Sequence, residues 1–453
     1  MDISSRRKQF TSILPYEIVE EIFLLCRTPF NWGNCHDSPI PHPPLQNVPI
    51  LLSHVSKTWR EIVRTTPALW TNVCIHNPSK MHPAILGPIL HRSKGRSLMP
   101  CIAVDKMNVE DSKFLDICMK ELSYHSDRIR SLRLLVKFWS LNIPIPPLPR
   151  LEELKIETSQ SGRYPEYLYP LFDSPRLRKV TWLGRRFPEP LLQMGHQIKE
   201  LSVTLYIFFD CMRLAKILHE CPNLAYLDLC LADEAYPPGP LPPVCLQDLR
   251  DFRSIGLSTC LCIAPNLHSF TFHTGEYTNT ANLPEFLCFS PRLEYLSLDL
   301  LSEEMSLQEI FSQIVPLTPS LVTLEFTVRV ALPLENINIT LKMLGRTGEW
   351  GSILPNLQHF AMNVTSFRLQ TEVAFVYDAE ILLHMLESRC NSGEQPSLGG
   401  EAPVAALGSC TMNDDIDPSI DRWDGSKRHL DMVQEHGLVL KGSIFTSTVN
   451  PDN

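Results

Sequence analysis

The sequence predicts an α/β chain: an N-terminal helical module followed by a curved solenoid of alternating helices and short parallel strands. Two observations predict it. A Pro-x-Leu-x-x-Leu-x-Leu pattern returns along most of the 453 residues, while residues 13–75 lack it and show helical apolar spacing instead. A chain that is 44% hydrophobic and 20% charged has the composition of one that buries a sizeable core.

Residues 1–12 have no apolar run and read as a flexible N-terminus without a secretory signal. Ile13-Leu14-Pro15 opens the first helix, with Pro15 suited to a first helical turn. Ile18, Ile22 and Phe23 follow at i, i+4 and i+5. Residues 28–48 hold Pro29, Pro39, Pro41, Pro43 and Pro44 and read as a surface loop, an insertion that chain entropy tolerates. A second helix is expected over Leu51–Val63, with Leu52, Val55, Trp59, Ile62 and Val63 on one face, ending near Thr66-Pro67 before Leu69-Trp70.

Residues 76–389 read as a repeat array. Pro149-Arg150-Leu151-Glu152-Glu153-Leu154-Lys155-Ile156 returns at Pro222–Leu229, Pro265–Phe272, Pro291–Leu298, Pro319–Phe326 and Pro355–Met362. Looser copies begin at Ile129, Leu177 and Ile198, and a weak one at Leu246. The steps between first apolar residues are 22, 26, 21, 26, 22, 21, 26, 28 and 36. All but the last fit the 20–29-residue period of leucine-rich repeats. Strands at Trp70–Ile75 and Met99–Val104 extend the series upstream. The last two apolar residues of each copy are two apart, so both point to one face of a strand. Between strands, Leu115, Cys118, Met119 and Leu122 show helical spacing. So do Leu214, Ile217 and Leu218; Leu307, Ile310, Phe311, Ile314 and Val315; and Ile381, Leu382, Met385 and Leu386. One such unit does not bury its own apolar face, so neighbours stack. Residues 390–418, rich in Gly, Ser, Pro and acidic side chains, read as a loop or disordered insertion. Residues 419–446 read as a closing helix and strand, and 447–453 as a flexible end.

Charge and motifs exclude several classes. Lys plus Arg total 41 against 50 for Asp plus Glu, a net charge of −9, which argues against a phosphate-backbone binder, so no nucleic-acid partner is expected. No apolar stretch of transmembrane length occurs, and no membrane partner is expected. Scattered cysteines, 14 in all, suit a reduced compartment, cytoplasmic or nuclear. Phosphate-cradling glycine loops, His-Glu-x-x-His and Gly-x-Ser-x-Gly are absent. Cys260-Leu261-Cys262, the Cys35-His36/His42/His54 group and Asp414/Asp415/Asp417 lack the spacing of zinc or calcium sites. Neither a catalytic residue, a metal nor a cofactor is expected. An α/β barrel is disfavoured because its units are longer.

The N-terminal residues resemble an F-box: Leu14-Pro15, Ile22-Phe23, Val55-Ser56-Lys57-Thr58-Trp59-Arg60 and Leu69-Trp70. The Val-Ser-Lys-x-Trp-Arg-x-Ile and Thr-Pro-x-Leu-Trp combinations are similar to those of F-box proteins of mushroom-forming fungi, which carry degenerate leucine-rich repeats. The stretch 28–48 departs from the family, which has a short link there. The resemblance implies docking on the Skp-type adaptor of a cullin-based ubiquitin ligase through Leu14, Pro15, Ile18, Ile22, Phe23, Val55 and Trp59, with Trp70 packing at the junction to the first repeat strand. It implies a substrate receptor whose repeat array holds a target protein. The alternative is a scaffold with the same two surfaces acting outside a ligase. Target contacts are expected on a concave face carrying Glu153, Lys155, Tyr226, Asp228, Thr271, His273, Tyr295, Ser297, Asp299 and Glu325.

Overall fold

In the computed structural model, the leucine that opens each repeat closes a tight turn. The N–H of Ile129, Leu151, Leu177 and Ile198, and of Leu224, Leu249, Leu267, Leu293, Leu321 and Leu357, donates to the carbonyl three residues earlier at 3.0–3.4 Å. The structure describes residues 14–26, 48–77, 81–104, 109–136, 145–158, 168–184, 191–205, 211–231, 243–255, 262–273, 283–300, 312–329, 342, 344, 354–365, 379–390, 407–414 and 439–441. The chain divides into two compact units, residues 1–198 and 199–453. The helical module therefore shares its unit with the first repeats, and the expected boundary at residues 75–76 is internal to that unit.

In the first unit, α1 (Tyr16–Leu25), α2 (Val48–Val55) and α3 (Lys57–Thr65) precede a 3-10 turn at Pro67–Trp70. The single helix expected over Leu51–Val63 is broken at Ser56. This residue is extended (φ −157, ψ 168) and its side chain accepts the N–H of Trp59 at 3.1 Å. A serine that caps a new helix ends the previous one, although the apolar spacing runs through it. Val19, Phe23, Ile62, Val63, Leu69 and Trp70 form the core of this module. Trp70 Nε1 donates to the Val63 carbonyl at 2.8 Å.

Five strands follow: β1 (Asn72–His76), β2 (Met99–Val104), β3 (Ser131–Val136), β4 (Glu153–Glu157) and β5 (Lys179–Gly184). Each pairs in parallel with the next. Between them lie α4 (Met81–Arg92), α5 (Val109–Ser123) and α6 (Tyr169–Phe172), and α7 (Leu191–Met194) follows β5. Ile75, Ile102, Leu134, Ile156 and Trp182 are neighbours by register and all are buried. The helical stripe expected at Leu115, Cys118, Met119 and Leu122 lies on α5, fully buried. Arg92 of α4 stacks its guanidinium on the Trp70 ring at 4.6 Å. Gly95, in the turn after α4, takes φ +76, a conformation that favours glycine.

The second unit holds nine parallel strands among its described residues: β6 (Glu200–Leu205), β7 (Tyr226–Leu231), β9 (Asp251–Ile255), β11 (Ser269–His273), β12 (Tyr295–Leu300), β13 (Thr323–Arg329), β14 (His359–Thr365), β15 (Ser409–Asp414) and β16 (Val439–Lys441). A short pair, β8 (Val244–Cys245) and β10 (Cys262–Ile263), stands beside them as a separate ladder. Leu201, Leu227, Phe252, Phe270, Leu296, Leu324, Phe360 and Cys410 form one buried lateral row. Each buried Leu or Phe contributes about 2–3 kcal/mol before chain entropy is counted. Helices α8 (Cys211–His219), α9 (Leu283–Cys288) and α10 (Ala379–Cys390) contribute Leu214, Ile217, Leu218, Phe286, Leu382, Met385 and Leu386 to the core. Phe286 meets Phe270 at 4.9 Å and Phe252 at 5.7 Å.

In nine repeats one carbonyl binds two successive amides at the start of the next strand. In the first unit, Arg130 O accepts from Glu152 and Glu153, and Glu152 O from Arg178 and Lys179. In the second, the carbonyls of Lys199, Ala225, Arg250, His268, Glu294, Val322 and Gln358 do the same at 2.6–3.1 Å.

Two expectations need correction. The weak repeat begins at Leu249, not Leu246: its strand places Phe252 and Ser254 on the buried face. The serine at the third apolar position hid the register. Within residues 390–418, β15 pairs in parallel with both β14 and β16, because Leu407, Cys410 and Met412 occupy the repeat's apolar positions. Residues 1–12, 28–47, 419–435 and 447–453, and most of the helix expected over Leu307–Val315, lie outside the described residues.

Candidate functional site

Helix α1 is apolar on two sides. Val19 and Phe23 face the core, and Phe23 packs on Trp59 at 4.8 Å. Ile18, Ile22 and Leu25 fall at i, i+4 and i+7 and are exposed, Leu25 to 80%. Leu14 and Pro15, just before the helix, are exposed too. On α2, Leu51 and Val55 stand one turn apart, 57% and 61% exposed. Seven of the twelve large hydrophobic side chains exposed among the described residues belong to residues 14–55. Intramolecular packing does not consume these stripes, and unburied apolar area of this kind marks an interaction surface.

Of the seven residues expected to dock an adaptor, Leu14, Pro15, Ile18, Ile22 and Val55 are therefore outward. Phe23 is fully buried and belongs to the core; one residue on from Ile22, it is turned about 100° round the helix, far enough to leave the exposed stripe. Trp59 is half-buried beneath it. Leu25 and Leu51 were missed, although their spacing from Ile22 and Val55 could have shown them. Tyr16, also exposed, donates or accepts at Thr65 Oγ1 (2.7 Å) and ties α1 to α3.

The second candidate surface is the polar face of each sheet, where alternate strand residues stand half-buried. Its side chains are linked across strands. In the first unit Ser131 Oγ donates to Glu153 Oε2 at 3.0 Å, and Lys155 is flanked in register by Arg133 and Thr181. In the second unit Ser202 Oγ donates to Asp228 Oδ2 at 3.0 Å, and His359 Nδ1 meets Ser409 Oγ at 2.8 Å. His273 Nδ1 hydrogen-bonds Asp299 Oδ2 at 3.0 Å. Tyr295 Oη donates to Glu325 Oε2 at 2.6 Å. Burial, and then the Glu325 carboxylate, push the Tyr295 phenol up to about 12. Thr271 and Ser297 lie in one row between Arg253 and Glu325.

Nine of the ten expected target-contacting residues stand half-buried on this face. Asp299 does not: it is buried, and its hydrogen bond to His273 makes it a brace between β11 and β12. Cross-strand pairs of this sort stabilise a sheet surface and hold its side chains in fixed orientations. Sequence alternation gives the face of each residue but not these pairings, which depend on register.

Among the described residues no group of three or more His, Cys, Asp or Glu side chains converges as a metal site. No helix among them is long and apolar enough to cross a membrane. Cys262 lies buried in β10 and His54 on the surface of α2; Cys35, His36 and His42 lie outside the described residues.

No protein-family model matches the chain, and no curated protein matches it. Among solved structures it is similar to a leucine-rich-repeat protein of Leptospira interrogans, with 12% identity and a TM-score of 0.32 over 83% of this chain and 91% of that one. The repeat architecture of the present chain rests on its own turns, strand register and buried rows.

Proposed function

We propose that the chain is a substrate-receptor subunit of an SCF-type ubiquitin ligase. Its helical module docks on a Skp-type adaptor, and through it on a cullin, while the polar sheet face holds a target protein. The observation that carries this reading is the pair of exposed stripes, Ile18-Ile22-Leu25 and Leu51-Val55. They coincide with the segment whose residues resemble an F-box. The chain itself contributes no catalysis. It brings a bound target close to the ubiquitin-carrying partner, and that proximity accelerates transfer.

The test is co-purification from cells with wild type beside two variants, Leu14→Ala/Pro15→Ala and Ile18→Glu/Ile22→Glu. Wild type is expected to carry the adaptor and a cullin, and both variants to lose them while keeping other partners. Adaptor bound without cullin would instead mark an interaction scaffold outside a ligase. Retention of the adaptor by both variants would refute docking at α1.

A further inference from the structure

On the polar sheet face of the first unit, the repeat register brings together one pair of nucleophilic side chains. Cys74 of β1 and Cys101 of β2 are direct register partners. Both are free thiols, Cys74 exposed and Cys101 half-buried, and their side chains hydrogen-bond to each other. Arg133 and Lys155 take the next two positions of the same row, and their positive charges act on the Cys101 thiol.

The two sulfurs are unequal. The hydrogen bond from Cys101 holds the Cys74 thiol below its ordinary value, against the opposing effect of burial. Cys101 is pushed up, first by that bond and then by burial. One sulfur is biased toward the nucleophilic thiolate and its neighbour toward the thiol, the division of labour between an attacking and a resolving cysteine. Cys118 and Cys221, by contrast, are buried and pushed up to about 11 and about 12, by burial and then by Glu121 and Glu220.

We propose that Cys74 and Cys101 form a reversible dithiol–disulfide site that is oxidised by hydrogen peroxide. The Cys74 thiolate attacks a peroxide oxygen; the S–O bond forms as the O–O bond breaks, and the departing hydroxide takes a proton to become water. Cys101 then attacks the sulfenic sulfur. The S–S bond forms, the S–O bond breaks, and the Cys101 proton leaves with the hydroxyl as a second water. Two thiols lose two electrons in total and one peroxide becomes two waters. Neighbouring strands lie about 4.8 Å apart, inside the Cα separation that disulfides span. Side chains that rise in parallel from two strands must lean together to close the bond. Because Cys74 is exposed, reductants reach the bond, and exposed disulfides are the labile, reversible ones.

The experiment uses the full-length protein, reduced, exposed to graded hydrogen peroxide, then alkylated and mapped by mass spectrometry. A Cys74–Cys101 cross-linked peptide pair, about 2 Da lighter than the reduced pair, is expected to form about tenfold faster than oxidation of the exposed Cys26, Cys245 and Cys288. Dithiothreitol is expected to reverse it. Cys101→Ser is expected to leave a sulfenic acid on Cys74 that dimedone traps, and Cys74→Ser to abolish the fast reaction. The proposal is overturned if Cys74 oxidises no faster than the three exposed cysteines, or if it cross-links to a different cysteine. Wild-type mapping alone decides both points, whether or not the variants fold.

Discussion

Phe23 and Trp59 meet ring to ring, centroids 4.8 Å apart and planes inclined at 58°, while Ile22, one residue away, turns outward. The contact separates a core residue from a surface residue within one dipeptide. Phe23→Ala is expected to lower the stability of the first unit by about 3–5 kcal/mol, the loss typical of a buried aromatic. Ile22→Ala is expected to change it by no more than about 0.5 kcal/mol, as exposed positions do. Denaturant unfolding followed by tryptophan fluorescence distinguishes the two. Equal losses would refute the division of faces on α1.

Trp70 joins the helical module to the repeats by its bond to the Val63 carbonyl and its stack with Arg92. Trp70→Phe keeps most of the apolar volume but leaves a buried carbonyl without that donor, a loss of about 1–3 kcal/mol. Arg92→Met removes the stacked cation alone and is expected to cost about 0.5–1 kcal/mol. Thermal unfolding of both variants checks the order.

Tyr295 makes stability depend on alkaline pH. Its phenol titrates at about 12 in the folded chain against an ordinary 10.0. The folded state therefore holds this proton more tightly than the unfolded one, and stability falls as pH rises. The contribution is whole below pH 10 and is lost as pH passes through about 12. Phenolate absorbance of wild type minus Tyr295→Phe is expected to show the high midpoint, and Glu325→Gln to lower it. An unchanged midpoint in Glu325→Gln would refute the carboxylate's share.

Gly184 ends β5 where a β-carbon would lie 2.8 Å from Thr158 Cγ2 and 3.0 Å from the indole nitrogen of Trp182. Gly184→Val is expected to destabilise the first unit by about 1–3 kcal/mol through overpacking. Thr158→Ser removes the opposing methyl group and is expected to recover part of the loss in the double variant. Calorimetric melting of the three variants measures this.

Much of the array is legible in the sequence because leucines mark both the turn and the buried row. Leu151, Leu224, Leu293 and Leu321 are found by spacing alone. Legibility fails where another residue takes the leucine's place. Ser254 shifted one repeat by three residues, and Cys410 and Met412 concealed β15. It fails again at Ser56, whose capping bond interrupts a helix through which the apolar pattern continues. The exposed stripe of the first helix was partly legible, since spacing finds Ile18 and Ile22 but does not reveal that Phe23 is turned inward. The pairings Tyr295–Glu325, His273–Asp299 and Cys74–Cys101 were not legible, because each depends on which residues of two strands come level.

Nine joints between coils share one device, a carbonyl bonded by two successive amides, and it makes the coils between them exchangeable parts. Each of these nine joints is the same one acceptor and two adjacent donors, whatever the length of chain between them. Excising a whole coil from one such carbonyl to the next leaves matching ends, and duplicating one adds no new kind of junction.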